Sequence, residues 1–139
     1  MKKLFTIIVI SGLTLTIFAQ TPLKLSYQAV IRNSSGGLVT NHAVGMRISI
    51  LRGSTTGLIV YRETYSPVPQ TNANGLVTVE IGSGTPSIGT FSEINWVAGP
   101  YYLQTETDPT GGTSYTITGT SQLVSVPYAL FSRTSDQLD

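Results

Sequence analysis

The chain has 139 residues, no cysteine and a formal net charge of +1, and only 11% of its residues are charged. This length suits one domain with its own hydrophobic core, which excludes a second domain of ordinary size. The near-neutral charge excludes the basic stripe that nucleic-acid binding requires, and the lack of cysteine excludes disulfide bonds.

The first nineteen residues predict a secretory signal peptide. Two lysines open the chain, an apolar run follows over residues 4–18, and Ala19 precedes the polar Gln20. The run is short for a membrane-spanning helix, and this three-part layout is typical of export signals. We therefore expect residues 1–19 to form a signal helix that is removed, so that the mature chain starts at Gln20 outside the cytoplasm.

From residue 25 onward, apolar residues recur at every second position, which predicts β-strands and not helices. The first two strands have apolar faces made of Leu25, Tyr27, Ala29 and Ile31, and of Val44, Met46, Ile48 and Ile50. A third strand is predicted over residues 58–65. Pro67 and Pro69 follow it and predict a sheet edge or a crossing, because proline cannot donate to a central ladder.

The second half of the chain continues the strand pattern with more interruptions. Asn74 and Gly75 predict a type I′ turn that leads into a strand over residues 76–81. The segment 82–99 is rich in Gly, Ser and Thr and is predicted to be irregular, with Phe91, Ile94 and Trp96 as apolar anchors. Further strands are predicted over residues 101–107, 115–118 and 123–126.

This spacing predicts an all-β fold, an antiparallel β-sandwich of seven or eight strands spanning residues 20–127. Immunoglobulin-like and transthyretin-like topologies fit equally well. The tail, residues 128–139, is predicted to begin a short helix, because Pro127 suits a first helical turn. Tyr128, Leu130 and Phe131 give this tail an apolar side, which we expect to contact the sandwich, a protein partner or another copy of the chain.

The candidate catalytic and metal-binding residues do not combine into a recognisable site. His42 is the only histidine, and zinc sites need three or four donors of the His, Cys or acidic type. Glu80, Glu106 and Asp108 are the acids considered for acid–base chemistry or calcium binding. The preferred interpretation is that these are exposed acids at strand ends and that His42 is a solvated turn residue. We therefore predict no catalytic residue, no metal and no cofactor.

A glycine-rich segment and an aromatic cluster are two further candidate binding sites. The segment 82–85 follows a strand, but it lacks the lysine and the helix of a phosphate-binding loop. Trp96, Tyr101 and Tyr102 are close in sequence and are the candidate glycan-binding residues, since exposed aromatic rings can stack on sugars. Aromatic residues are more commonly buried, because they contribute large areas to cores.

Five segments carry a family resemblance: residues 27–32, 44–57, 74–84, 108–113 and 125–130. In these segments the chain resembles the N-terminal β-domain of secreted, often fibre-like proteins of the Bacteroidota, an uncharacterised module. The resemblance implies a sandwich-shaped head domain followed by repeats, a coiled coil or a trimeric stalk, and it brings no catalytic or ligand-binding residues. Because the sequence given stops at Asp139, we expect a free-standing copy or a fragment of a longer fibre.

The function that the sequence favours is that of a secreted, non-enzymatic structural and interaction module. It would be a head or anchoring domain of a cell-surface or fibre-like assembly, associating through the tail with a protein partner or with itself as a homotrimer. The alternative is a carbohydrate-binding module that uses Trp96, Tyr101 and Tyr102. A secreted hydrolase is disfavoured for want of a converging nucleophile and base. We expect neither a nucleic-acid partner nor a membrane span after signal removal.

Overall fold

The computed structural model describes residues 24–124. This part of the chain is all-β, as predicted, with seven strands and two short 3-10 turns. The strands are β1 (Leu25–Val30), β2 (Gly45–Arg52), β3 (Leu58–Thr64), β4 (Leu76–Ile81), β5 (Thr85–Ile88), β6 (Tyr101–Asp108) and β7 (Ile117–Leu123). The predicted signal helix and the predicted tail, with Tyr128, Leu130 and Phe131, lie outside the described residues.

The strands form two antiparallel sheets. One contains β1 and β4, and the other has five strands in the order β5-β3-β2-β6-β7. The chain therefore passes between the sheets after β1, after β3 and after β4. The proline-containing segment 66–70 lies on the second of these passages, so of the two alternatives predicted for Pro67 and Pro69, an edge or a crossing, the structure has the crossing.

The core lies between the inner faces of the two sheets. The buried residues Val44, Met46, Ile48 and Ile50 come from β2 and its start, and Val77, Val79 and Ile81 come from β4; all of them belong to one hydrophobic cluster. The alternation predicted from the sequence is thus confirmed for both strands. Each fully buried side chain of this size contributes roughly 1.5–3 kcal/mol to folding.

Three local features differ from the sequence-based expectation. β7 is one strand, where separate strands at 115–118 and 123–126 were predicted, because backbone pairing with β6 continues through Gly119 and Thr120. β5 lies inside the segment predicted to be irregular, and it pairs with β3.

The third difference is the turn before β4. A type I′ turn needs positive φ at both central residues, but among the described residues near this turn only Gly75 has one, at 72°. The side chain of Asn72 closes the turn instead, accepting hydrogen bonds from the backbone N–H groups of Asn74 at 2.8 Å and Leu76 at 3.0 Å. The predicted reversal is present and its predicted type is wrong.

Candidate functional site

Four aromatic side chains contact one another in series along the loop between β5 and β6. The ring centroids of Tyr61 and Phe91 are 5.3 Å apart, those of Phe91 and Trp96 are 5.9 Å apart, and those of Trp96 and Tyr101 are 5.2 Å apart. All three contacts are edge-to-face, a geometry worth about 0.5–1.5 kcal/mol beyond area burial. The series attaches the loop to β3 at one side and to β6 at the other.

Local backbone structure fixes the rings in this row. The two 3-10 turns, Phe91–Glu93 and Trp96–Ala98, begin with Phe91, which belongs to the core cluster, and with Trp96, which is partly exposed. The side chain of Asn95 caps the second turn by accepting a hydrogen bond from the N–H of Val97 at 3.2 Å. The hydroxyl of Tyr101 donates to the backbone carbonyl of Asn95 at 2.5 Å, so the ring and the turn hold each other in place.

The structure brings two of the three candidate glycan-binding residues together. Trp96 contacts Tyr101, but Tyr101 is buried in the core cluster. Tyr102 points to the opposite face of the sheet, because successive side chains of a strand alternate, and its β7 neighbour there is Gln122. Trp96, which is 37% exposed, is the ring of this set that reaches solvent beside the loop.

The outer face of the five-stranded sheet, turned away from the core, carries an ion pair that sequence analysis missed. Arg47 of β2 donates two hydrogen bonds to Glu106 of β6, from Nε at 2.7 Å and from Nη2 at 2.6 Å. The two residues are direct cross-strand neighbours. The alternation of apolar and polar residues predicts that both side chains point outward. It does not predict that β2 pairs with β6 and so brings together two residues 59 positions apart in sequence.

Further side chains surround this pair and define an outer polar array of Arg47, Ser49, Arg62, Glu106 and Tyr115. The guanidinium carbon of Arg47 lies 4.6 Å from the centroid of the Tyr115 ring. Arg62 donates from Nε to the Ser49 hydroxyl at 2.9 Å. Hydrogen bonding from Arg47 lowers the pKa of Glu106, and the same bond raises the pKa of Arg47. The pairing therefore favours the ionised form of both side chains.

The inner face of β3 carries a fully buried carboxylate, that of Glu63. Its Oε1 accepts hydrogen bonds from the Tyr65 hydroxyl at 2.6 Å and the Gly82 N–H at 2.9 Å. Its Oε2 accepts from the Tyr61 hydroxyl at 2.8 Å and the Gly84 N–H at 2.7 Å. Burial, followed by the hydrogen bonds to Glu63, raises the pKa of Tyr61 and of Tyr65.

This network gives the glycine-rich segment 82–85 its role. Two of its backbone N–H groups face an anion, as they would in a phosphate-binding loop, but the anion is the carboxylate of Glu63. Sequence analysis did not single out Glu63. The available signal was an acid at an inward position of β3, between Tyr61 and Tyr65 at spacing two.

The three acids considered for metal binding have other partners. Glu80 is exposed, as predicted, and forms a 3.2 Å surface ion pair with Lys24. The prediction of exposed acids is wrong for Glu106, which is largely covered within its pair with Arg47, and for Asp108, which is buried. Within residues 24–124, no group of three or more His, Cys, Asp or Glu residues is placed to hold a metal ion.

Asp108 shapes the loop between β6 and β7. Its Oδ1 accepts hydrogen bonds from the Thr110 N–H at 2.9 Å and the Thr110 hydroxyl at 2.6 Å, and its Oδ2 accepts from the Ser114 N–H at 2.9 Å. The hydrogen bond from the Thr110 hydroxyl is the main cause that lowers the pKa of Asp108. Both oxygens are thus occupied by donors from the loop.

His42 is exposed in the segment before β2. Its Nδ1 lies 2.6 Å from the carbonyl oxygen of Ala43, and its own carbonyl accepts a hydrogen bond from the Thr71 N–H at 2.9 Å. These local contacts fit the predicted solvated turn residue.

The fold and these sites define a small all-β domain in which two antiparallel sheets share one core and the buried acids are bound by the domain's own donors. The chain belongs to the DUF8740 family, a domain of unknown function, whose profile matches residues 26–123. No curated protein and no solved structure matches the chain. Among residues 24–124, no helix has the length and apolar character needed to cross a bilayer.

Proposed function

We propose that this protein is a secreted, non-enzymatic structural and interaction module, the head or anchoring domain of a cell-surface or fibre-like assembly. The observation that carries this proposal is the buried carboxylate of Glu63, which accepts two hydrogen bonds from the segment between β4 and β5 and two from the tyrosines two residues away on either side. A carboxylate has about four acceptor sites, so all of them are occupied. The group stabilises the fold and has no lone pair left for a substrate.

The other acids inside or near the sheets support the same proposal. Glu106 is bound by Arg47, and Asp108 is bound by the residues of its own loop. A general acid or base must be within hydrogen-bonding reach of a substrate proton, and these carboxylates are instead engaged with neighbouring protein groups. Their arrangement supports a scaffold.

At the finer level of fold, we propose an antiparallel β-sandwich of the immunoglobulin-like or transthyretin-like kind. The single core cluster to which both sheets contribute supports this proposal. The interface would be formed by the tail, with Tyr128, Leu130 and Phe131 binding other copies as a homotrimer or a downstream stalk, as the resemblance to fibre-like proteins of the Bacteroidota implies.

The tail is tested by light scattering of the protein with and without residues 128–139. We expect the number of copies per particle, calculated from the mass, to fall when the tail is removed, and an equal number for the two forms would reject tail-mediated association. Export is tested by N-terminal sequencing of the protein recovered from the producing cell. A mature end at Gln20 is expected, and retention of residues 1–19 would reject the signal peptide.

A second candidate function, glycan binding, is favoured by one observation: Trp96 is 37% exposed and its ring is held edge-on by Phe91 and Tyr101. A rigid, partly exposed indole is suited to stacking on a sugar ring. A glycan array tests this, with Trp96→Ala expected to abolish binding and Tyr102→Ala, on the opposite sheet face, expected to preserve it. An array without any bound glycan would reject this candidate.

A further inference from the structure

The two edges of the five-stranded sheet differ in how they are protected. β5 is four residues long, contains Pro86 and pairs with β3 through a register shift between Arg62 and Glu63. Short strands, proline and irregular pairing are the features by which natural edge strands avoid pairing with other chains. β5 therefore has the features of an edge that stays unpaired.

β7, at the opposite edge, has none of these features. It is seven residues long, contains no charged residue and no proline, and pairs with β6 residue by residue without a register shift. Its five middle residues are all exposed. A long, regular and uncharged edge offers an open row of backbone donors and acceptors to another strand.

The inner face of β7 is open as well. Gly119 and Ser121 occupy inward positions and are exposed, whereas their β6 partners Thr105 and Leu103 are half-buried and buried, respectively. The core thus covers β7 only at its two ends, Ile117 and Leu123, and leaves its middle uncovered.

The sequence of β7 matches itself in antiparallel orientation. Around Thr120 as the centre, Gly119 would lie opposite Ser121, Thr118 opposite Gln122, and Ile117 opposite Leu123. Small residues thus meet small ones, and apolar residues meet apolar ones at both ends. Ile117 and Leu123 are both inward and pack against the core cluster, so this register keeps the apolar side chains on one face.

We propose that β7 is a homodimer interface, at which a second copy of this chain pairs antiparallel along the edge that no strand of residues 24–124 occupies, with Thr120 opposite the partner subunit's Thr120. The lack of charge along β7 favours this occupant, because a charged strand paired with itself would place like charges near one another. The same surface patch serves both copies, as a two-fold axis requires. The product is one continuous sheet of ten strands, and it forms independently of the tail.

A cysteine placed on the two-fold axis tests the contact directly. In the proposed register the Cα atoms at position 120 of the two copies are about 4.5–5.5 Å apart, which is within the range for a disulfide bond. Because the natural chain has no cysteine, any cross-link must come from the introduced thiol. The full chain carrying Thr120→Cys, as processed by its producing cell, is equilibrated in a glutathione redox buffer and analysed on a non-reducing gel.

Thr118→Cys is the matched control, since Thr118 is exposed on the same sheet face as Thr120. In the proposed register the two copies of residue 118 are offset by four residues, or roughly 13 Å, and cannot form a disulfide. We expect at least about tenfold more cross-linked dimer from Thr120→Cys than from Thr118→Cys. Equal yields, or no dimer from Thr120→Cys, would overturn the proposal.

A charge substitution provides a second test in solution. Thr120→Lys places two ammonium groups opposite each other and should prevent pairing along β7. Light scattering should then give fewer copies per particle than for the natural protein, while circular dichroism stays unchanged. Ser87→Lys, on the β5 edge, should leave the mass unchanged. Deletion of residues 128–139 should leave the Thr120→Cys cross-link intact; its loss would show that association depends on the tail and would contradict an independent β7 interface.

Discussion

The hydroxyl of Tyr65, the residue that follows β3, lies 2.6 Å from the carboxylate of Glu63 on the inner face of that strand. Tyr61 approaches the other carboxylate oxygen from two residues before, at 2.8 Å. Tyr61, Glu63 and Tyr65, at spacing two, therefore form a polar network at the edge of the core. In the part of the chain that the structure describes, this carboxylate is surrounded by neutral hydroxyl and N–H donors. The buried charge is stabilised only while all of these donors are present.

Glu63→Gln should strongly destabilise the protein. The amide NH₂ would face hydroxyl and N–H donors, so at least one buried hydrogen bond would be replaced by two opposed donors. We expect a loss of about 2–4 kcal/mol in the free energy of unfolding, measured by urea denaturation. Glu80→Gln, at an exposed position of β4, is the control and should change little. Similar losses for the two variants would contradict a special role for Glu63.

The same network should make the protein lose stability in alkali. The pKa values of Tyr61 and Tyr65 are raised above the ordinary value of 10.0, so the folded state keeps these protons where the unfolded state releases them. Their contribution is complete below about pH 10 and decreases as the pH rises above it, by about 1.4 kcal/mol per pH unit for each tyrosine. Denaturation midpoints measured between neutral pH and pH 11 check this. The double variant Tyr61→Phe/Tyr65→Phe should show a flatter profile.

Arg47 and Glu106 should show a measurable coupling energy. Both are partly covered and joined by two hydrogen bonds, so a double-mutant cycle with Arg47→Met and Glu106→Gln should give about 1 kcal/mol. The more exposed pair of Lys24 and Glu80, joined by one contact, should give no measurable coupling in the same kind of cycle. Equal couplings would show that the outer ion pair gains nothing from its partial burial.

The pH dependence of this pair has the opposite sign to that of the tyrosines. The pKa of Glu106 is lowered from an ordinary value of 4.5, so its contribution is present above about pH 4.5 and is lost as the pH falls through the lowered pKa. The free energy of unfolding of the natural protein, measured at a series of pH values from 6 to 3, should therefore decrease as the pH falls. Glu106→Gln should lose this part of the acid response, and an unchanged acid profile would contradict the assignment.

Gly84→Ala should destabilise the protein for a steric reason. A Cβ at this position would lie 2.6 Å from the backbone oxygen of Thr64 and 2.7 Å from Oε2 of Glu63. The strand and its carboxylate would have to shift, at a cost of about 1–3 kcal/mol. Gly119→Ala is the control, because its Cβ would meet only the Thr105 hydroxyl oxygen at 3.5 Å. Thermal unfolding should give a clearly lower midpoint for the first variant and a nearly unchanged one for the second.

The strands that could be predicted are those whose apolar residues recur at every second position. β2 and β4 each place apolar residues inward at spacing two, and the structure buries these residues. β5 could not be predicted in this way, because all four of its residues are exposed and its sequence carries no alternation. It forms through backbone pairing with β3, which depends on residues distant in sequence.

The candidate site was less accessible to sequence reasoning than the fold. Arg47 and Glu106 meet only because β2 pairs with β6 in a particular register, and no local pattern encodes that register. Glu63 was overlooked because a buried acid contradicts the usual placement of charge, and its donors Gly82 and Gly84 lie on a different segment. The aromatic cluster was anticipated in part, since Trp96 and Tyr101 do touch, while the strand's alternation sends Tyr102 to the other face.

Trp96 is the only tryptophan of the chain, and it sits between Phe91 and Tyr101 at the loop that joins β5 to β6. Its fluorescence is therefore an intrinsic reporter of one small region. A denaturation curve followed by indole emission would record the detachment of this loop, whereas far-ultraviolet dichroism would record the melting of the sheets. Coincidence of the two curves would show that loop and sheets unfold as a single cooperative unit.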